Sequence, residues 1–149
     1  MKMKLILWVC VALLTMPFTV QALSLSLSTN NSIVAPSSTV QIDVVVTGLG
    51  NHAAPLLGNF DLGIAYDPIL FGFAGIQFGT GLGDPSLGEA VVADMATPGL
   101  VQFSEVSLLE GMAASCSLCV PPYLEDLQNG SLILASLNFT ALFIGSGVV

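Results

Sequence analysis

Residues 59–79 read NFDLGIAYDPILFGFAGIQFG, and the fold is decided in this stretch. Phe60, Leu62, Ile64 and Tyr66 alternate with Asp61, Gly63, Ala65 and Asp67. That period of two marks a strand with one buried face and one small or acidic face. Asp67-Pro68 then ends the strand in a turn, because Asp bonds the backbone just ahead and Pro presets φ for the second turn position. A second strand begins at once. Its Phe71 and Phe73 share one face, but Ile76 and Phe78 have the opposite parity, so the strand needs a phase slip near Ala74-Gly75. A β-bulge at Gly75 supplies it.

Working outward, Leu23, Leu25 and Leu27 alternate with serines, and Val40, Ile42, Val44 and Val46 alternate with Gln41, Asp43, Val45 and Thr47. Both segments predict strands, the second bounded by Gly48 and Gly50. Residues 79–88 hold Gly79, Gly81, Gly83 and Gly88 around Asp84-Pro85. The glycine spacing is not that of a phosphate loop, and a strand rather than a helix follows, so this is a turn-rich connection. Residues 89–95 and 100–109 predict a hairpin about Pro98-Gly99. Within it Val101 and Phe103 give way to Val106 and Leu108 in the other parity, which predicts a second bulge at Ser104-Glu105. Residues 122–127 predict one helical turn, with Pro122 at its start and Gly130 beyond its end. In the last clear strand Ile133, Ala135, Leu137, Phe139 and Ala141 form one face. At least seven short strands with almost no helix predict an all-β fold, an antiparallel β-sandwich.

The first 22 residues stand apart. Lys2 and Lys4 precede the apolar run of residues 5–14, and Val20-Gln21-Ala22 suits a cleavage site, so residues 1–22 predict a secretory signal peptide and residues 23–149 the domain. The run is shorter than the roughly 20 apolar residues of a membrane span, and Pro17 interrupts it, so no stable membrane span is expected in the mature chain. The chain's 2 basic residues, both lysines, lie in this leader, whereas all 10 acids lie beyond it. A domain with neither Lys nor Arg cannot neutralise phosphates, which excludes nucleic acid as a partner. A basic protein, a neutral glycan or a divalent cation remains compatible with its field.

Few residues invite chemistry. Cys10 leaves with the leader, so Cys116 and Cys119 are an even pair in an oxidising compartment and predict a local disulfide. A redox role would require a βαβ setting, and zinc two further ligands, neither of which the sequence supplies. His52, the only histidine, lies in a soft Gly- and Pro-bounded loop, and no G-x-S-x-G elbow accompanies it. No catalytic residue and no cofactor is assigned. Asp43, Asp61, Asp67, Asp84 and Asp94 have no cationic side chain to offset them, and Ca²⁺ is the ion that such oxygens suit. A small hydrolase using two carboxylates stays open as an alternative, as does a carbohydrate-binding module, although Tyr66 reads as inward and leaves only Tyr123 as an exposed aromatic candidate of the usual kind.

The order of a V-x-V-x-V strand ending in VTGL, then NFDLGIAYDPILF, then LASLNFTA, resembles the cohesin domain over most of residues 23–143. It is especially similar to cohesin-like domains of secreted bacterial proteins that often carry a Pro-Glu-Pro sorting signal. The resemblance implies a jelly-roll sandwich related to carbohydrate-binding modules, without catalysis, that binds a calcium-loaded dockerin through one sheet face, in an extracellular or cell-surface setting. In the family motif N-x-D the Asn and Asp contribute partner contacts, which places that role on Asn59 and Asp61. Two departures stand out. The closing strand is reduced to Gly147-Val148-Val149, and the sorting signal is absent from these residues.

Overall fold

The alternation of residues 59–66 becomes strand β3, Asn59–Ala65, in a computed structural model that describes residues 22–29, 31 and 33–144. The expected leader, but for Ala22, and the reduced closing strand at 147–149 lie outside the described residues. Six further strands are present: β1 Ser24–Thr29, β2 Thr39–Thr47, β4 Phe71–Phe78, β5 Ala90–Thr97, β6 Leu100–Ser107 and β7 Ser131–Ala141. All pairings are antiparallel. They form a four-stranded sheet in the order β1-β2-β7-β4 and a three-stranded sheet in the order β3-β6-β5. The chain is an all-β sandwich. Among the described residues, no helix is long and apolar enough to cross a membrane.

The core lies between the sheets, where β2 contributes Val40, Ile42, Val44 and Val46, β7 contributes Leu134, Leu137 and Phe139, and the smaller sheet contributes Ile64, Val101 and Phe103. Phe139 receives ring edges from Tyr66 at 5.1 Å, Phe73 at 5.7 Å and Phe71 at 6.4 Å, the edge-to-face packing that the ring quadrupole favours. A second trio, Phe60, Phe78 and Phe103, joins β4 to the smaller sheet with centroids 6.0–6.5 Å apart. The Asp67 turn forms as its chemistry requires: Asp67 Oδ1 accepts from the Ile69 amide at 2.8 Å, and the Asp67 carbonyl accepts from Phe71 at 2.9 Å.

The register confirms one bulge, relocates another and removes a third. β4 skips a residue between Phe73 and Gly75, where φ is 152°, a conformation that glycine adopts at little cost. β7 carries a bulge that its sequence conceals: Val44 pairs with Ala135 but Val45 with Ile133. Leu134 and Ala135 are therefore both buried, and Ile133, expected inside, faces out. The bulge expected at Ser104-Glu105 is absent. β6 pairs without interruption with β3 on one side and β5 on the other, so its parity runs on unchanged and Glu105 points into the sandwich. A bulge in this central strand would break hydrogen bonds in two ladders at once.

The helical turn is α1, Leu124–Leu127, entered at Tyr123 and ended at Gln128 rather than Gly130. Asp126 fixes the entry by accepting from the Tyr123 amide at 2.9 Å. Gln128 is fully buried, and its side chain is committed elsewhere. Its amide accepts from Leu57 N–H at 2.8 Å and donates to the carbonyls of Leu57 at 2.6 Å and Gly81 at 3.1 Å, tying three loops together at one end of the sandwich.

Candidate functional site

The outward face of β3-β6-β5 is set by the alternation of its three strands and is flat. Cross-strand register gives four rows: Asn59, Val106 and Val91; Asp61, Ser104 and Ala93; Gly63, Gln102 and Met95; Ala65, Leu100 and Thr97. Val91, Met95, Leu100 and Val106 are large apolar side chains left open to solvent here, Met95 at 58% and Val106 at 46% of full exposure. Isolated exposed apolar residues are ordinary, but four on one flat sheet face mark a contact surface. Asp61 is the only ionisable group among the twelve. It sits directly across from Ser104.

Asn59 and Asp61, the two residues singled out in the sequence, are both exposed on this face, separated by inward-pointing Phe60. Neither side chain makes a hydrogen bond among the described residues, so both are free to bond a partner. Val91, Met95 and Val106 were not assigned a role from sequence. The strand parity of residues 90–97 carries the signal for the first two, whereas the expected bulge placed Val106 inside.

Beneath the face lies Glu105, which is 1% exposed and has both carboxylate oxygens unpartnered. It stands cross-strand from Phe60 and Val92 and two residues from Phe103, so its surroundings are apolar. Desolvation pushes its carboxyl up to about 7, since burial disfavours the charged form. The elements around it offer no cation. On β3 the acid is Asp61, which faces outward; on β5 Asp94 has the same parity as Val92 but lies exposed at the sheet edge; β4 and β7 have no titratable residue.

The other candidate residues lie elsewhere. Cys116 and Cys119 are joined in a disulfide, with Cα atoms 5.4 Å apart, in the connection between β6 and α1. The Glu110 carboxylate lies within 4.8 Å of the two sulfurs, but oxidised sulfurs are not thiolate ligands, so the trio is not a metal site in this state. The five aspartates considered for Ca²⁺ do not converge: among the described residues no three of them meet. Several are bound locally. Asp43 accepts from Ser136 Oγ at 2.6 Å and Gln41 Nε2 at 2.8 Å. Asp84 accepts from Ser86 N and Oγ, which holds its carboxyl below the usual range. His52 is exposed, and its Nδ1 lies 2.8 Å from the Glu125 carbonyl oxygen, far from any nucleophile arrangement. A groove of about 490 Å³ opens on the larger sheet between Gln77, Thr80, Ser131 and Ser136, with Phe78 and Ile133 beside them.

No family model and no curated protein sequence matches the chain. Solved structures do. CaCohA2 from Clostridium acetobutylicum, in its complex with CaDoc0917, superposes with a TM-score of 0.53 and 21% identity over 80% of this chain and 72% of that one. A type II cohesin from Bacteroides cellulosolvens gives 0.57 and 13% identity over 83% and 75%. The cohesin of a type I cohesin–dockerin complex from Clostridium thermocellum gives 0.53 and 11% over 80% and 72%. The chain has the cohesin fold. At these identities the likeness is one of architecture, and it accounts for the strand order and the two-sheet sandwich of this cohesin-like module. The residues of its exposed sheet face are its own.

Proposed function

We propose that this cohesin-like module is exported, has no catalytic activity, and binds an extracellular or cell-surface protein of dockerin type through the outward face of β3-β6-β5. The carrying observation is the face itself: four exposed apolar side chains around a single unpaired carboxylate, Asp61, with Asn59 at its margin. Apolar area supplies affinity, and one charge-assisted hydrogen bond fixes register. A cohesin–dockerin complex among the structural neighbours supports a protein partner. The absence of Lys and Arg beyond the leader favours a partner that brings its own cations to Asp61.

The test pairs Asp61→Ala with Leu62→Ala, adjacent residues on opposite faces of β3. Removing Asp61 should weaken binding by about 1–3 kcal/mol, the usual loss for a hydrogen bond to a charged group, with little change in melting. Leu62→Ala should cost about 2 kcal/mol of stability, as truncation of a partly buried core residue does. Capture of dockerin-type proteins from culture supernatant, identified by mass, reads the first, and thermal melting reads both. If Asp61→Ala retains the captured partner at wild-type strength, or melts as badly as Leu62→Ala, the assignment of this face is wrong. The uncharged groove of the larger sheet favours a second reading, a neutral polysaccharide held by Gln77, Thr80, Ser131 and Ser136. Retention on a neutral polysaccharide that survives Asp61→Ala and fails in Gln77→Ala would select it.

A further inference from the structure

β6 carries two inconsistent instructions. Its ladders hold an unbroken register that buries Glu105 with no partner and leaves Val106 46% and Leu108 61% exposed. Its apolar pattern, Val101, Phe103, Val106, Leu108, asks for the opposite beyond residue 104. A one-residue bulge at Ser104-Glu105 would satisfy it, carrying Val106 to the position opposite Phe60 and Val92, and Leu108 to the position opposite Ala90. Only the end of the strand is involved. The positions to be re-paired are Glu105, Val106 and Ser107, together with two flanking bonds, Ser107 N–H to the Gly58 carbonyl and Leu108 N–H to the Glu89 carbonyl. Strand ends open at lower cost than strand centres, and the connection after Ser107 can take up the displaced residue.

We propose that the C-terminal half of β6 is a proton-controlled two-register switch that remodels the recognition face, with Glu105 and Ser107 inside in one register and Val106 and Leu108 inside in the other. It rests on the reading of β3-β6-β5 as the binding surface. When the Glu105 carboxyl is neutral, the unbroken ladders prevail and burying a neutral acid is tolerable. When it gives its proton to water, a buried carboxylate without partner or cation is the most costly group in the domain, and the slip relieves it by exposing Glu105 and burying two apolar side chains. The groups that face Glu105 do not oppose this. Asp94, the one acid of like parity on a neighbouring strand, adds repulsion; Asp61 and Asp43 point to the outer faces; β1, β4 and β7 contribute no titratable side chain. On the recognition face Val106 is lost and a second carboxylate arrives near Asp61, so an apolar contact is exchanged for charge.

The switch is read on the chain itself, without a partner, so its failure and the failure of the binding assignment are distinguishable. Methyl-resolved NMR between about pH 5.5 and about pH 8.5 brackets the titration. As pH passes about 7, the Val106 and Leu108 methyl groups should gain contacts to Phe60, Val92 and Ala90, and the Glu105 carboxyl carbon should titrate with the same midpoint. Glu105→Gln should hold the low-pH register throughout, and Glu105→Leu does the same should the amide variant fold poorly. The proposal is overturned if the methyl groups keep their solvent-facing environment across the range, if Glu105 titrates in the ordinary carboxylate range, or if both variants shift register with pH as the wild type does.

Discussion

Replacing Glu105 by Gln should change how the stability of this domain depends on pH, and the size of the change follows from its burial. Desolvation raises the carboxyl from 4.5 to about 7 in the folded chain. Between those values the folded state holds a proton that the unfolded state has released, so stability falls as pH rises and levels off above about 7. At 1.36 kcal/mol per unit the full loss is about 3 kcal/mol, or about 10 °C in melting temperature for a domain of this size. That is an upper limit, because a register change in β6 would halt the loss once slipping costs less than ionising in place. Other acids titrate too, and the Glu105→Gln variant serves as their control. Asp84 has the opposite sign, since its carboxyl is held low by Ser86 and its contribution disappears only as pH falls through the acid range. Urea denaturation of both proteins at about pH 4.5, 6, 7 and 8 measures the difference directly. The two stability curves should diverge with pH, the wild type losing up to about 3 kcal/mol more. Parallel curves would show that Glu105 is solvated in the folded state and would refute the reasoning.

Two further outcomes follow from the loops. Gln128→Ala removes three hydrogen bonds and leaves the Leu57 N–H and the Leu57 and Gly81 carbonyls buried without partners, so it should cost roughly 2–4 kcal/mol in chemical denaturation. Gly79→Ala sets a methyl group against the Ile133 carbonyl oxygen, a backbone atom that cannot swing aside, and should lower the melting temperature by about as much as a core truncation.

The sandwich and the face of β3 were legible because their signals are redundant. Phe60, Leu62 and Ile64 are apolar while Asn59, Asp61 and Gly63 are not, so parity has a single solution, and Gly75 marks its own bulge by lacking a side chain. Leu134 and Ala135 carry no such mark: both are apolar, and a slip between them changes which is buried without leaving a polar residue to object. Ser104-Glu105 misled for a third reason. The pattern of Val106 and Leu108 weighs side-chain burial alone, whereas β6 is bonded on both sides, and two ladders outweigh one neutral buried acid. The exposure of Leu25 and Leu27 was equally hidden, because it depends on how many strands the other sheet has. With three strands facing four, β1 has no opposing strand.

The scarcity of positive charge joins these features. In most domains a buried carboxylate is answered by Arg or Lys, which fixes both its ionisation and its position. No residue beyond the leader is basic except His52, and its ring is bonded to the Glu125 carbonyl at another part of the surface. Glu105 can therefore be relieved in two ways, by keeping its proton or by leaving the core. The second route changes the strand that carries Ser104 and Val106 at the centre of the exposed face. A cationic group placed beside Glu105, for example by Val92→Lys, would supply a third way and hold the carboxylate in place. The same substitution would then abolish both the pH-dependent loss of stability and the change of register, whereas two unrelated effects would not disappear together.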